Sequence, residues 1–175
     1  MVFAWGLAEA VFFFVVADVP ITLITARSGF RIGLNLSLWA TVGALLGGAL
    51  VYVWAGADPV AVEWMLDWVP AVSVDHIDAA KREVAENWIA ATLIGGFSGD
   101  PYKLYAAVAG EQRLSLVPFL AVSFVARLSR FVASAALAQA ITAMLNRIGL
   151  GRWAVSLITL FWIAFYAWYW TRMPW

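Results

Sequence analysis

Two stretches of this chain, residues 33–56 and 153–171, contain no charged side chain. A helix needs roughly 20 mostly apolar residues to cross a bilayer, and both stretches meet that requirement. The composition agrees: 64% of residues are hydrophobic and 13% charged, against about half and about a quarter in soluble domains. A domain this small has too much surface to hide that share of apolar side chain. The expectation is an integral membrane protein forming a single membrane domain over residues 1–175. The formal net charge is zero, so nothing points to nucleic acid. The chain has no cysteine, which excludes disulfides, thiolate metal sites and cysteine nucleophiles. One histidine and no cysteine leave only carboxylates as metal ligands, so neither a metal nor a cofactor is expected.

The other apolar regions differ from these two. Residues 114–146 make a third span, with Pro118 near its start and Arg127 and Arg130 inside it, on one helix face at i and i+3. Residues 2–26 are interrupted by Glu9, Asp18 and Pro20, and residues 88–112 by Gly95, Gly96, Gly99, Asp100, Pro101 and Lys103. Broken backbone at membrane depth is tolerated only inside protein or along a wet cavity. Each of these regions therefore reads as a re-entrant or discontinuous helix, with Pro20, Gly99 and Pro101 as breaks. The N-terminal region has no basic stretch and carries two acids, so it reads as part of the fold rather than a leader.

Residues 58–87 are polar, with Trp64 and Trp68 one turn apart and Ile77, Ala80 and Val84 at helical spacing. The pattern predicts two short amphipathic surface helices separated near Pro70. Gly43, Gly47 and Gly48 set a small-residue face that lets another helix approach closely. The aromatics of 153–171 read as an interfacial belt.

The two broken regions share a pattern. Asp and Pro are followed by about nine mostly apolar residues, a glycine (Gly29 or Gly110), a basic link and a span. Paired interrupted segments of this kind point to an inverted repeat with a transport site between the halves. The expected fold is an all-α polytopic membrane protein with two broken segments and three spanning helices. Orientation stays open. Arg27, Arg31, Arg147 and Arg152 fall on one side and Lys81, Arg82, Arg113 and Arg172 on the other, a tie under the positive-inside rule.

Six charged residues lie within or beside the embedded segments: Glu9, Asp18, Asp100, Lys103, Arg127 and Arg130. Intramembrane charges face one another or a cavity and mark function by default. The Asp100–Pro101 pair reads as an N-cap with proline at the first helical position, and Asp18 with Pro20 as a looser version. Helix N-termini attract anions, and guanidinium forks suit phosphate. The reading is an anion pocket held by Arg127, Arg130 and Lys103, with Tyr102 able to bond a head group. Glu9, Asp18 and Asp100 would gate it or carry protons. Two alternatives stand beside it: a proton-coupled carrier of a small soluble solute, and a structural or assembly protein whose charges only join helices.

The segments F-S-G-D-P-Y-K-L-Y-A-A-V-A-G (Phe97 to Gly110) and P-F-L-A-V-S-F-V-A-R-L-S-R-F (Pro118 to Phe131) carry a resemblance, together with Glu9, the Asp-and-Pro segment after it and Gly47-Gly48…Tyr52…Gly56. Over about residues 5–140 the chain resembles the DedA superfamily, also called VTT-domain or SNARE-associated membrane proteins, and its small YqaA-like branch. The resemblance implies re-entrant hairpins meeting at the membrane centre and movement of a lipid, polyprenyl phosphate or phospholipid, between leaflets of a bacterial inner membrane with proton coupling. It places the family's acids on Glu9 and Asp18 and a basic residue on Lys103. The family's arginine next to the phenylalanine has no counterpart, since Gly96 stands there. A homodimer is consistent with this length, because one copy encloses little cavity. Gly96-Phe97-Ser98-Gly99 also matches the G-x-S-G serine motif of rhomboid proteases. A serine of this kind needs a base, and His76 lies in the charged stretch before the motif. The chain therefore reads as a transporter, not an enzyme.

Overall fold

The computed structural model describes residues 1–69 and 72–172, with backbone only for Arg172. Every regular element among them is helical: α1 (Val2–Val11), α2 (Asp18–Ser28), α3 (Phe30–Ala57), α4 (Pro59–Asp67), α5 (Val74–Ser98), α6 (Tyr102–Glu111), α7 (Leu116–Arg147) and α8 (Ala154–Arg172). A 3₁₀ turn at Gly151–Trp153 precedes α8. Three of these elements are long and apolar enough to cross a membrane: Phe30–Ala57, Leu116–Arg147 and Gly151–Thr171. The exposed large side chains on them are Leu46, Leu50, Val53, Leu137, Leu160, Phe161 and others of that kind, as lipid contact requires.

Helices α3 and α7 form the central pair and run antiparallel. The Cβ position of Gly33 near the start of α3 faces Ala135 late in α7. At the other end the Tyr52 hydroxyl donates to the Leu114 carbonyl just before α7. Two helical hairpins dock on this pair from opposite ends. In the first, α1 and α2 are joined by residues 12–17. A Cβ on Gly43 would strike the carbonyl of Phe3, and one on Gly47 the carbonyl of Leu7. The small-residue face of α3 is thus a seat for α1 at backbone-contact distance.

The second hairpin joins α5 to α6 through Gly99–Pro101. Gly99 ends α5 at φ +100°, a left-handed turn that glycine takes without a Cβ penalty. Each hairpin has its own apolar cluster. Val2, Ala17 and Ile21 pack with Ala40, Phe131 and Ala135. Leu104, Tyr105 and Val108 pack with Val51, Ala55, Leu66, Val84 and Phe119.

Several local expectations need correction. Pro20 does not break a helix. It sits in the first turn of α2, where its missing N–H has no intrahelical partner to lose. The break instead occupies residues 12–17. Gly95 and Gly96 also lie inside helix α5. A Cβ on Gly95 would collide with the Tyr105 ring, so that glycine serves packing across the hairpin.

Asp100 is not the N-cap of α6: Pro101 holds that position, with no side-chain cap. Asp18 is likewise the first residue of α2 after the N-cap Ala17, which makes no side-chain cap. The second amphipathic segment is a helix as expected, the first of two that make up α5 and are divided at Asn87. That residue is extended, and its side chain accepts from the Ala90 N–H at 3.1 Å and restarts the helix. Pro70, the expected separator, lies outside the described residues.

Candidate functional site

The tips of the two hairpins meet. Lys103, the second residue of α6, reaches the Phe13 carbonyl in the first tip at 3.0 Å. Beside this crossing lies a cavity of about 50 Å³ lined by Glu9, Phe13, Asp100, Tyr102, Lys103, Arg127, Arg130 and Tyr169. A single water needs about 10–15 Å³ on this measure, so the space suits a few waters or one small oxyanion. The sequence-predicted residues Glu9, Asp100, Tyr102, Lys103, Arg127 and Arg130 are brought together here. Gly99 and Pro101 form its wall. Asp18 lies just outside, in an adjoining groove of about 320 Å³ that shares Gly99 and Arg130 with the cavity. Pro20 lines neither space.

The acids of the first hairpin are fully committed. Glu9 accepts from Arg127 through one oxygen and from the Ala17 N–H at 2.7 Å through the other. This second bond satisfies the N-cap N–H of α2 from the preceding helix. Asp18 accepts from Ser134 and from Arg130, the latter at 3.2 Å. Arg130 also donates to the Gly96 carbonyl at 3.1 Å. Arg127 and Arg130 thus each have their own carboxylate on the first hairpin. The i, i+3 spacing of the arginines puts both on the helix face that meets it.

Arg127 is the more deeply placed, at 1% exposure. Its guanidinium carbon lies 4.6 Å from the Phe131 ring centre and 5.4 Å from that of Tyr102. Its Nε has no hydrogen-bond partner. The hydroxyls of Tyr102 and Ser123 are also buried without a well-formed hydrogen bond. Buried polar atoms left unpaired are uncommon, and Tyr102 and Arg127 both border the cavity.

Lys103 contrasts with the arginines. It is 2% exposed, and no carboxylate lies within ion-pairing distance of it among the described residues. The buried part of the site therefore holds three cations, Lys103, Arg127 and Arg130, against two carboxylates, Glu9 and Asp18. Asp100 is half-buried and turns the other way. It accepts from Ser98 and lies 3.4 Å from the Tyr105 hydroxyl, whose one proton it shares with the closer Glu83 at 3.0 Å. It borders a separate cleft of about 260 Å³ that also holds Glu83 and Glu86. Ser98, the serine of the G-x-S-G match, is engaged by Asp100.

Sequence reasoning missed the contribution of α8. Trp162 donates to the Thr22 hydroxyl at 2.9 Å, and the Tyr166 hydroxyl accepts from the Val16 N–H at 2.9 Å. Trp162 also lines the groove and Tyr169 the cavity. Trp162 and Tyr166 thus face the first hairpin, whereas Trp153, Trp168 and Trp170 are exposed. The spacing of Trp162, Tyr166 and Tyr169, at i, i+4 and i+7, was the available signal. His76 is exposed and caps α5 with Ser73 in a reciprocal pair, remote in role from the site.

No family model matches this chain, and no solved structure matches it. A curated protein of Haemophilus influenzae, described only as uncharacterized, is similar: 28% identical over 138 residues, covering 74% of this chain and 66% of that protein. The chain thus spans just under two thirds of the length of the relative it matches.

Proposed function

We propose that this chain moves a lipid with an anionic, phosphate-type head group across the bilayer, as the resemblance to DedA proteins implies. In this reading the two hairpins re-enter the membrane from opposite sides as an inverted repeat, and their tips meet near mid-depth. The head group occupies the cavity at Lys103 and Tyr102. The observation that carries the reading is the buried, unpaired ammonium of Lys103. A buried ammonium costs several kcal/mol without a counter-ion, and a ligand anion would supply one. Arg127 and Arg130 contribute positive potential while held by Glu9 and Asp18. Protonation of either acid frees its arginine for the anion, which is how proton coupling would operate.

The adjoining groove supports a lipid over a small soluble solute. Its rim includes Phe97 and Leu137, both more than half exposed and apolar. A cargo leaving sideways past Gly99 and Arg130 would keep its tail among lipid chains. The Glu9–Arg127 pair favours the structural reading for those two residues, since it joins α1 to α7 with almost no exposure. The site of action is a bacterial inner membrane, in keeping with the bacterial relative.

The test is leaflet exchange of a fluorescent polyprenyl phosphate or phospholipid in proteoliposomes. Wild type is compared with Arg130→Ala and Asp18→Asn, with folding checked by size exclusion. Exchange by wild type that is lost in folded variants is the expected result. A well-folded wild type that exchanges neither lipid, under either direction of pH gradient, refutes the proposal.

A further inference from the structure

Helix α4 carries apolar residues on two opposite faces. Val62 and Leu66 point inward and are 1% exposed. Val60, Trp64 and Trp68 recur at i, i+4 and i+8, which places them on a single face. They are 75%, 65% and 73% exposed. The two indoles contact each other edge to face, with ring centres 5.7 Å apart. The first half of α5 differs. Apart from Val74 at its first position, 63% exposed, its large apolar residues Ile77 and Val84 are buried, as is Ala80, and its outer face carries Asp75, Asp78, Arg82 and Glu86. The outer edge of α4 is therefore an apolar surface that the fold itself leaves uncovered.

Its position identifies what covers it. Helix α4 follows the membrane span α3 after a single residue, Asp58. The Asp58 carboxylate accepts from the Ala61 N–H at 3.0 Å, and Pro59 opens the helix, so the chain turns sharply where the span ends. The last lipid-type side chains of α3 are Leu50, Val53 and Trp54, all exposed. The outward edge of α4 begins at Val60, six residues after Trp54 along the chain. Glu63, beside the tryptophans, is drawn toward α5 by an ion pair with Lys81. Tryptophan favours the membrane interface, where its apolar body and N–H are both accommodated.

We propose that Val60, Trp64 and Trp68 seat α4 in the lipid head-group layer, at the end of the molecule where α3 leaves the membrane. The residues of α4, PVAVEWMLD, include no lysine or arginine. Insertion is thus driven by apolar and aromatic burial and not by attraction to anionic lipid, unlike the basic amphipathic helices that bind membrane surfaces. This inference rests on the spanning helices alone and is independent of the cargo.

The absence of native cysteine makes a direct test available. Trp64→Cys, Trp68→Cys and the exposed control Asp78→Cys are each labelled with a nitroxide in the full chain and reconstituted into phosphatidylcholine vesicles. Collision with dissolved oxygen and with a water-soluble nickel chelate then reports depth. The expected result places positions 64 and 68 roughly 5–10 Å into the head-group and acyl boundary and position 78 in water. Those depths stay unchanged when phosphatidylglycerol is added or salt is raised. Labels at 64 and 68 as open to the nickel chelate as the label at 78 overturn the proposal. Spin–spin broadening between copies at 64 with shielding from both reagents also overturns it, because a second copy then covers the edge. A depth that requires phosphatidylglycerol refutes the driving force.

Discussion

The two hairpins meet at one point but handle charge in opposite ways. The first, α1 with α2, carries two carboxylates, and both are closed off by arginines of α7, by a serine and by a backbone N–H. The second, α5 with α6, carries Lys103 and Asp100, and neither has an ionic partner among the described residues. Lys103 rests on a carbonyl oxygen and Asp100 on the Ser98 hydroxyl and a shared Tyr105 proton. A buried pair is expensive to break and adds little net stability when intact. A buried lone cation is expensive as it stands. The first hairpin is therefore built to be held against α7. The second holds a buried cation with no ionic partner among the described residues, a partner that the proposed lipid anion would supply.

Breaking the first hairpin's pairs should produce the largest effects. Glu9→Gln leaves Arg127 buried and uncompensated, and a loss of about 3–5 kcal/mol is expected. Denaturant or thermal unfolding in detergent measures it. Adding Arg127→Met to Glu9→Gln should recover most of that loss. If Glu9→Gln alone leaves stability unchanged, the contrast between the hairpins collapses.

Asp18→Asn should cost less, about 1–3 kcal/mol. The Arg130 side chain is 20% exposed and keeps its bond to the Gly96 carbonyl. The same unfolding measurement checks it, and a loss equal to that of Glu9→Gln would place the two pairs at equal depth.

The second hairpin should respond in the other direction. Lys103→Met removes a buried ammonium and one hydrogen bond, and the two effects oppose each other. Stability is expected to stay within about 1 kcal/mol of wild type or to rise. A loss as large as that of Glu9→Gln would show that Lys103 is structural.

The smallest effect belongs to Lys81 at the water-facing surface. It pairs with Glu63 and with Glu111, the latter at 3.2 Å. Burial alone would lower its pKa, but the bonds and charges of those two acids outweigh it and hold the ammonium above its ordinary 10.5. A raised folded-state pKa stabilises fully below 10.5 and is lost as pH climbs through the higher value. Lys81→Met should therefore cost a few tenths of a kcal/mol at neutral pH, as partly exposed pairs do. The difference from wild type should begin to shrink above pH 10.5 and be gone once pH passes the raised folded-state value. Thermal melts of both proteins across that range measure it.

Much of this arrangement was legible in the sequence, for physical reasons. The spans show because lipid leaves no alternative to long apolar helices. Gly43 and Gly47 show because only small residues admit a neighbouring backbone. The grouping of Glu9, Lys103, Arg127 and Arg130 followed from the cost of charge in lipid. What was not legible is which cation meets which anion. That depends on the relative heights of the hairpins along α3 and α7, and periodicity within one helix does not encode it. The arginines looked like the free anion ligands, yet each is paired, and the lysine is the one left open. Capping failed for a similar reason. Asp100 before Pro101 has the composition of a cap, but Ser98 takes its carboxylate first.

The central claim is that Lys103 awaits an anionic head group, and a ligand-dependent melt tests it most directly. Purified wild type and Lys103→Met are heated in detergent with a single-chain phosphomonoester lipid, and again with the alcohol of the same chain. A ligand at one hundred times its dissociation constant adds about 2.7 kcal/mol to the folded state. The account predicts that the phosphomonoester raises the melting temperature of wild type, that the alcohol does not, and that Lys103→Met stays folded and shows no response to either. An equal rise in wild type and Lys103→Met would contradict it.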